Sequence, residues 1–211
     1  MFIPTLRNLC DEEQEKTFLE PTLRGEIIGC YAQTELAHGS DVQNLLTTAT
    51  YDSSTESFII NTPEIGATKW WIGDLGLYCN HAAVFAQLII NGKRYGVHAF
   101  LVPIRDPKTL LPLKGIEVGD IGPKHGFQTK DNGYVIFNNI RIPRRNMLMK
   151  YHVVSKEGEY SLKGDEKISY ATMLITRSNI TKILANCITK VCTIVTRYSI
   201  SRTQFKNSKG V

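Results

Sequence analysis

The stretch HAAVFAQLIINGKRYGVHAFLVPI, residues 81–104, decides the fold class. Two apolar, β-rich runs, residues 81–90 and 95–104, flank the dipeptide Asn91-Gly92. Both residue types accept the positive φ angles that the two-residue turn of a β-hairpin needs. The stretch therefore predicts two antiparallel strands joined by a tight turn.

Short β-rich runs continue on both sides of this hairpin. They cover residues 26–33, 45–51, 57–61, 115–118 and 134–142, and turn residues separate them. Short strands at this spacing predict an antiparallel β-barrel or sandwich. Strands do not alternate with long helices, which disfavours a doubly wound nucleotide-binding fold. The predicted class is α+β, with residues 25–155 as a middle β domain.

Helical patterns flank the β domain. Residues 1–24 read as the end of a helical domain, in which Asp11 is the N-cap, Gln14 holds the capping-box position and Pro21 closes the helix. Residues 165–206 predict a long amphipathic helix, the first of another helical domain. Its apolar face carries Ile180, Leu184, Cys187, Val191, Val195 and Tyr198. Such a face implies a partner, so we expect both ends of the chain to belong to something larger.

Composition, charge and residue spacing argue against several classes of function. The chain has 211 residues, 42% hydrophobic and 21% charged, which is ordinary for a globular protein. The net charge of +5 comes from scattered basic residues, so we expect no nucleic-acid partner. No apolar run reaches about 18 residues, so we expect no membrane span. The five cysteines and five histidines lack metal-ligand spacing, and we expect no metal site.

Two segments carry candidate binding residues. In YAQTELAHGSD, residues 31–41, a strand runs into a loop whose hydroxyl and amide groups suit a polar ligand; the alternative is an ordinary turn at Ser40-Asp41. In KWWIGDLG, residues 69–76, adjacent tryptophans on a strand point to opposite faces, and Gly73 and Gly76 admit close approach of a ring or a backbone. The alternative is one core tryptophan beside a half-exposed one.

The sequence also resembles the acyl-CoA oxidase family and, more faintly, the wider acyl-CoA dehydrogenase superfamily. The matching blocks are CYAQTE (30–35), TTATYD (47–52), KWW (69–71), HAFLVPIR (98–105), VGDIGPK (118–124), DNGY (131–134) and RIPRRNMLMKY (141–151). They follow the family's order and approximate spacing, and the match covers nearly the whole chain.

This resemblance implies a fold and a reaction. The family has an N-terminal helical domain, a middle β-barrel domain and C-terminal helical domains, with FAD between the barrel and the C-terminal helices. It implies a peroxisomal homodimer that oxidises fatty acyl-CoA with O2 to trans-2-enoyl-CoA and H2O2 in fatty acid β-oxidation. No targeting signal occurs in this chain, so the location follows from the family alone.

The resemblance also assigns site residues. Those assigned to FAD are Gln33, Thr34, Trp71, Gly73, Arg202 and Phe205, of which the last two reach the FAD of the neighbouring subunit. Ser40 is assigned to the CoA moiety of the substrate. No catalytic residue is assigned, because the family's glutamate base lies in the C-terminal domain, beyond Val211. We therefore expect these 211 residues alone to be inactive.

Two positions bear on function: Asp74 departs from the oxidase pattern, whereas Gly73 follows it and differs from the dehydrogenase relatives. Asp74 stands where oxidases usually carry glycine, and a carboxylate there would oppose the negative charge of reduced flavin. Dehydrogenase relatives carry threonine at the position of Gly73, and the missing side chain is expected to leave room for O2. Gly73→Thr should then slow flavin reoxidation. The alternative function is a catalytically inactive, oxidase-like binding or assembly module.

Overall fold

The computed structural model describes residues 1–164 and 168–205. The chain divides into two compact units, one ending at Ser169 and one beginning at Tyr170. Within the described residues, the first unit holds all eleven strands and the second consists mainly of one long helix. The strands are β1 Gly29–Ala32, β2 Thr48–Asp52, β3 Ser57–Asn61, β4 Lys69–Gly73, β5 His81–Ile90, β6 Lys93–Pro103, β7 Ile116–Asp120, β8 Asn132–Phe137, β9 Ile140–Pro143, β10 His152–Val154 and β11 Tyr160–Leu162.

The hairpin predicted at Asn91-Gly92 is confirmed and organises the larger sheet. Strands β5 and β6 pair antiparallel up to Ile90 and Lys93, and the turn has φ angles of +49° at Asn91 and +76° at Gly92. Strand β5 also pairs in parallel with β1 and β2. Parallel neighbours require a crossover connection, and β3 and β4 lie in the connection between β2 and β5. The sheet is therefore mixed rather than purely antiparallel.

A second sheet, in the order β4-β8-β7, is antiparallel. Residues 134–142, predicted as one strand, are divided between β8 in this sheet and β9 beside β3. The break occurs at Asn138-Asn139, where Asn139 has a φ of +49°, a value that asparagine adopts more readily than most residues. The curled sheets enclose the main apolar core but do not close into a barrel within the described residues. The α+β class is confirmed.

The N-terminal segment forms α1 Phe2–Leu9, α2 Glu12–Gln14, a π-helical turn Glu15–Leu19 and α3 Glu20–Leu23. The capping box predicted at Asp11 and Gln14 is confirmed. Pro21 does not end the helix, as the sequence had suggested, because it lies in the first turn of α3, where the missing N–H is tolerated.

Gln14 also docks this helical segment on the β domain. Its buried Nε2 donates to the carbonyls of Arg145 at 2.7 Å and Met147 at 2.6 Å, and its Oε1 accepts from the amide of Met149 at 2.9 Å. The side chain of Arg145 completes the contact through Asp11 at 2.8 Å. One residue thus caps a helix and anchors it, and only the cap was visible in the sequence.

The second unit contains α4, Ile168–Ser201. The predicted residues 165–167 and 206 lie outside the described part of the chain. All six residues of the predicted apolar face are exposed, and Ile183, Ile188 and Ile194 widen that face. None of the described helices is long and apolar enough to cross a membrane.

Candidate functional site

The two segments singled out in the sequence lie side by side. The Thr34 hydroxyl donates to the Trp70 carbonyl at 2.8 Å, and the Trp70 amide donates to the Thr34 carbonyl at 3.1 Å. A further bridge pairs Glu35 with Lys69. The loop after β1 is thereby joined to β4, so Gln33 and Thr34 share one edge of the fold with Trp71.

Trp71 sits in a β-bulge. Lys69 pairs with Val135 and Ile72 with Gly133, so β4 holds one more residue than β8 over this interval. Trp71 absorbs the extra length with a φ of +67°, a genuine outlier for a bulky residue. Its side chain is 53% exposed, whereas Ile72 is buried. The bulge, rather than simple strand alternation, therefore directs this indole outward, and backbone strain of this kind clusters at functional sites.

The space beside Gly73 holds the stem of a lysine. A Cβ built on Gly73 would lie 3.1 Å from Cε and 3.8 Å from Nζ of Lys130. The Lys130 ammonium forms an ion pair with Asp74, the residue that departs from the family pattern. The room expected for O2 is therefore shared with a flexible cationic side chain.

Gly76 admits a close backbone approach. A Cβ there would lie 3.2 Å from the Asp120 Cα and would overlap Asp131 Oδ1. On the facing strand, a Cβ on Gly133 would lie 2.8 Å from the Gly76 Cα. A side chain at Gly133 must push the loop after β4 away from β8, and a side chain at Gly76 must displace Asp131 and crowd the end of β7.

Sequence reasoning missed a buried ion pair beneath this edge. Lys69 is fully buried, and its Nζ donates to Glu35 Oε1 at 3.1 Å and to the carbonyls of Gln33 at 3.0 Å and Phe85 at 2.6 Å. Glu35 accepts from the Thr47 amide at 2.9 Å and from the Thr47 hydroxyl at 2.6 Å. The pair thus fixes the residues on both sides of Thr34. A lysine opening an apolar strand was the signal that could have revealed it.

The two charges support each other. Burial lowers the pKa of Lys69, and the nearby Glu35 carboxylate counteracts that shift. Burial alone would raise the pKa of Glu35, but Lys69 and the amides of Leu46 and Thr47 hold that pKa below its usual value. A buried pair is tolerated only when its remaining hydrogen bonds are satisfied, as here.

The other assigned residues are Ser40, Arg202 and Phe205, and all three are exposed. Ser40 is exposed in the loop between β1 and β2, where its carbonyl accepts from the Val42 amide at 3.0 Å. Arg202 and Phe205 follow α4 in the second compact unit, and both are exposed. The Arg202 guanidinium lies 6.0 Å from the ring centroid of Tyr198.

The edge fits a flat ligand with a polar rim. The Thr34 hydroxyl retains acceptor lone pairs after donating to Trp70. The exposed indole of Trp71 offers a stacking surface, and Gly73 presents no side chain of its own. These groups fit an isoalloxazine ring. Among the described residues, no three His, Cys, Asp or Glu side chains converge in a way that would hold a metal ion.

Two family models match this chain. Residues 30–140 match the family model described as "Acyl-CoA dehydrogenase, middle domain". Residues 170–211 match the model described as "Acyl-CoA oxidase, C-alpha1 domain". The first match alone covers more than half of the chain.

Individual relatives indicate which proteins within this superfamily the chain resembles. It is 50% identical over 210 residues to peroxisomal acyl-coenzyme A oxidase 1 of Cavia porcellus, covering 100% of this chain and 32% of that protein. The solved structure of Arabidopsis thaliana acyl-CoA oxidase 1 matches with a TM-score of 0.93 and 45% identity, over 100% of this chain and 33% of that one. The Caenorhabditis elegans acyl-CoA oxidase-2 bound with FAD, ascaroside-CoA and ATP matches with a TM-score of 0.91 and 47% identity, over 100% and 32%. The chain thus spans about a third of the length of these relatives, and it belongs to the acyl-CoA oxidase family.

Proposed function

We propose that this chain supplies the middle, flavin-binding part of an FAD-dependent acyl-CoA oxidase. The whole enzyme would convert a fatty acyl-CoA and O2 to trans-2-enoyl-CoA and H2O2 in peroxisomal fatty acid β-oxidation, as a homodimer. The names of the mammalian relatives support the reaction and the peroxisomal location. The FAD named with the Caenorhabditis elegans structure supports the cofactor.

One observation of this structure carries the proposal. The Gln33-Thr34 loop and the Trp71–Gly73 segment come from separate parts of the sequence, yet the reciprocal hydrogen bonds between Thr34 and Trp70 join them in one edge. A polar rim beside an exposed aromatic side chain is what a flavin ring requires. The buried Lys69–Glu35 pair anchors this edge through the hydrogen bond from Lys69 to the Gln33 carbonyl.

Each assigned residue has a role in this proposal. FAD, when bound, accepts the hydride removed from the substrate and passes its electrons to O2. Gln33 and Thr34 bind the polar rim of the ring, where the Thr34 hydroxyl acts as an acceptor because its proton is donated to the Trp70 carbonyl. Trp71 and Gly73 form the surface along the ring. Further contacts come from Arg202, whose fork suits a pyrophosphate, from Phe205, and from Ser40 toward the CoA moiety.

In the proposed domain organisation, the catalytic base lies outside the region that these 211 residues match. Residues 1–24 close an N-terminal helical domain, residues 25–155 form the middle domain and residues 165–206 begin a C-terminal helical domain. The glutamate that removes the substrate's α-proton belongs to the family's C-terminal domain, outside the region that these 211 residues match. The residues present here bind and orient, and we expect them to be inactive alone.

A titration tests the proposal directly. The 211-residue chain should quench FAD fluorescence at one FAD per chain, and Thr34→Val should weaken binding about tenfold because it removes a hydrogen bond at the rim. Thr17→Val is the matched control, since Thr17 also bonds a carbonyl, that of Glu13 at 2.9 Å, but lies in the N-terminal helices. Equal affinities for both variants would contradict the assignment. A protein from the complete reading frame that neither binds FAD nor makes peroxide from palmitoyl-CoA would instead be an inactive binding module.

A further inference from the structure

We propose that Lys130 is a positioning residue that holds the Asp74 carboxylate in an ion pair over Gly73 and balances its charge at the flavin edge. The inference rests on the proposed function and goes beyond it, because neither Asp74 nor Lys130 is among the residues assigned to FAD. It accounts for a carboxylate at a position where that charge alone would oppose the reaction.

The geometry brings three groups together. The Lys130 ammonium contacts Asp74 Oδ1, and its Cε lies 3.1 Å from where a Cβ on Gly73 would be. Both charged side chains are 45% exposed, so the pair lies at the surface of the edge rather than beneath it. A ligand that approaches Gly73 therefore meets the lysine stem first.

The backbone fixes both ends of the pair. The Asp74 amide donates to the Asp131 carbonyl at 2.9 Å, next in sequence to Lys130. The ammonium of Lys124 donates to the Lys130 carbonyl at 3.0 Å. Asp74 directly follows β4, and Lys130 precedes β8. These hydrogen bonds therefore hold the two side chains opposite each other.

The surrounding charges explain why Lys130 is needed. Asp120 and Asp131 both lie against Gly76, two residues after Asp74. Asp131 Oδ2 accepts from the Leu77 amide at 2.9 Å, which leaves its charge in place. With Lys130 removed, the carboxylates of Asp74, Asp120 and Asp131 would outnumber the two remaining cations beside them, Lys124 and Arg105, whose guanidinium donates to the Gly76 carbonyl at 2.7 Å. Negative charge that builds up on a nearby ring would then be opposed.

The first test compares reduced and oxidised FAD. We expect Lys130→Met to weaken the binding of reduced FAD relative to oxidised FAD about fivefold, which is about 20 mV for a two-electron couple. Asp74→Gly should shift this ratio in the opposite direction, and the double variant should return to within about twofold of the parent. Lys16→Met, a charge removal in the N-terminal helices, serves as the control. The readout is the flavin midpoint potential, measured against a reference dye.

The directions of these potential shifts distinguish an electrostatic role of Lys130 from a purely structural one. If Lys130→Met weakens both oxidation states equally, or if the double variant adds the two defects, the proposal is overturned while FAD binding still stands. If neither the parent chain nor the protein from the complete reading frame binds FAD, the proposed function fails, and this inference fails with it.

A second test needs no FAD. In the free chain we expect nuclear Overhauser contacts between the Lys130 ε-protons and the Gly73 α-protons, and we expect Asp74→Gly to weaken them. Their absence from the folded parent would overturn the pairing whatever the flavin measurements show.

Discussion

Trp71 shows what one residue does to this edge. Its φ of +67° lets the bulge in β4 form, and the same angle directs the indole out of the sheet. Sequence alternation predicted that one of the two tryptophans would face outward. The positive φ could not be predicted, because it depends on the register between β4 and β8, which pairs residues 59 to 66 positions apart.

Two substitutions at Trp71 distinguish the cost of its positive φ from the loss of its indole stacking surface. Trp71→Ala and Trp71→Gly both remove the indole, but only glycine accepts a positive φ without steric cost. We therefore expect the glycine variant to be more stable than the alanine variant by about 1 kcal/mol, measured by urea unfolding. Both should lose FAD affinity. Equal stability of the two would show that the bulge relaxes once the indole is gone.

Lys69 is a second residue whose structural role the sequence did not reveal, because that role is a buried ion pair with Glu35. Lys69→Met would leave the Glu35 carboxylate buried without its cation, which costs about 3–5 kcal/mol of unfolding free energy. Glu35→Gln combined with Lys69→Met should recover part of that loss, because no buried charge remains. Denaturant unfolding of the single and double variants measures both effects, and a double variant no more stable than Lys69→Met would rule out charge burial as the cause.

Among the elements, β6 is tied to the β10-β11 hairpin by a buried histidine. His98 Nδ1 lies 3.1 Å from the Gly96 carbonyl and must donate to it, so Nε2 accepts from the Tyr160 hydroxyl at 3.1 Å. That hydroxyl also lies 2.7 Å from His152 Nδ1. The arrangement suits a neutral His98 and links two residues, His98 and Tyr160, that lie 62 positions apart in the sequence.

This histidine makes stability depend on pH. Burial lowers the pKa of His98 from 6.5 to about 4, so between these values the unfolded chain binds a proton that the folded chain excludes. The contribution is complete above pH 6.5 and is lost as the pH falls toward 4, to a total of about 3 kcal/mol. His98→Gln should flatten the stability profile between pH 6.5 and 4, measured by unfolding at each pH. A profile as steep as the parent's would assign the acid sensitivity to other groups.

Local elements were predictable where local chemistry sets them. Asn91-Gly92 specified the hairpin, and Asp11 with Gln14 specified the helix start. The division of residues 134–142 into β8 and β9 was not predictable, because it depends on which sheet each half joins. The parallel pairing of β1 and β2 with β5 has the same origin in long-range contacts.

At the scale of the whole molecule, Gln14 joins the N-terminal helices to the β domain. Gln14→Leu would leave the Met147 carbonyl and the Met149 amide buried without partners, and we expect a loss of about 3 kcal/mol in unfolding free energy. The exposed Gln43 provides the control, since Gln43→Leu disturbs no side-chain hydrogen bond of this kind. Thermal unfolding of both variants measures the difference. Equal melting temperatures would show that the helices dock through apolar contacts alone.

The candidate site was predictable only where its residues belong to the sequence motifs that resemble the family. Resemblance indicated Gln33, Thr34, Trp71 and Gly73, and the fold does place them along one edge. Lys69 with Glu35 and Lys130 with Asp74 were not anticipated, since their partners lie 34 and 56 positions apart in the sequence. Contacts of this kind emerge only when the chain is folded.

The meeting of Gly76 with Gly133 has an evolutionary consequence. Every missense change of a glycine codon adds at least one carbon. On Gly133 that carbon would overlap the Gly76 nitrogen, and on Gly76 it would lie 3.2 Å from the Asp120 Cα and overlap the Asp131 side chain. Selection for a folded chain alone should therefore retain glycine at both codons, even in a descendant that has lost its catalytic machinery.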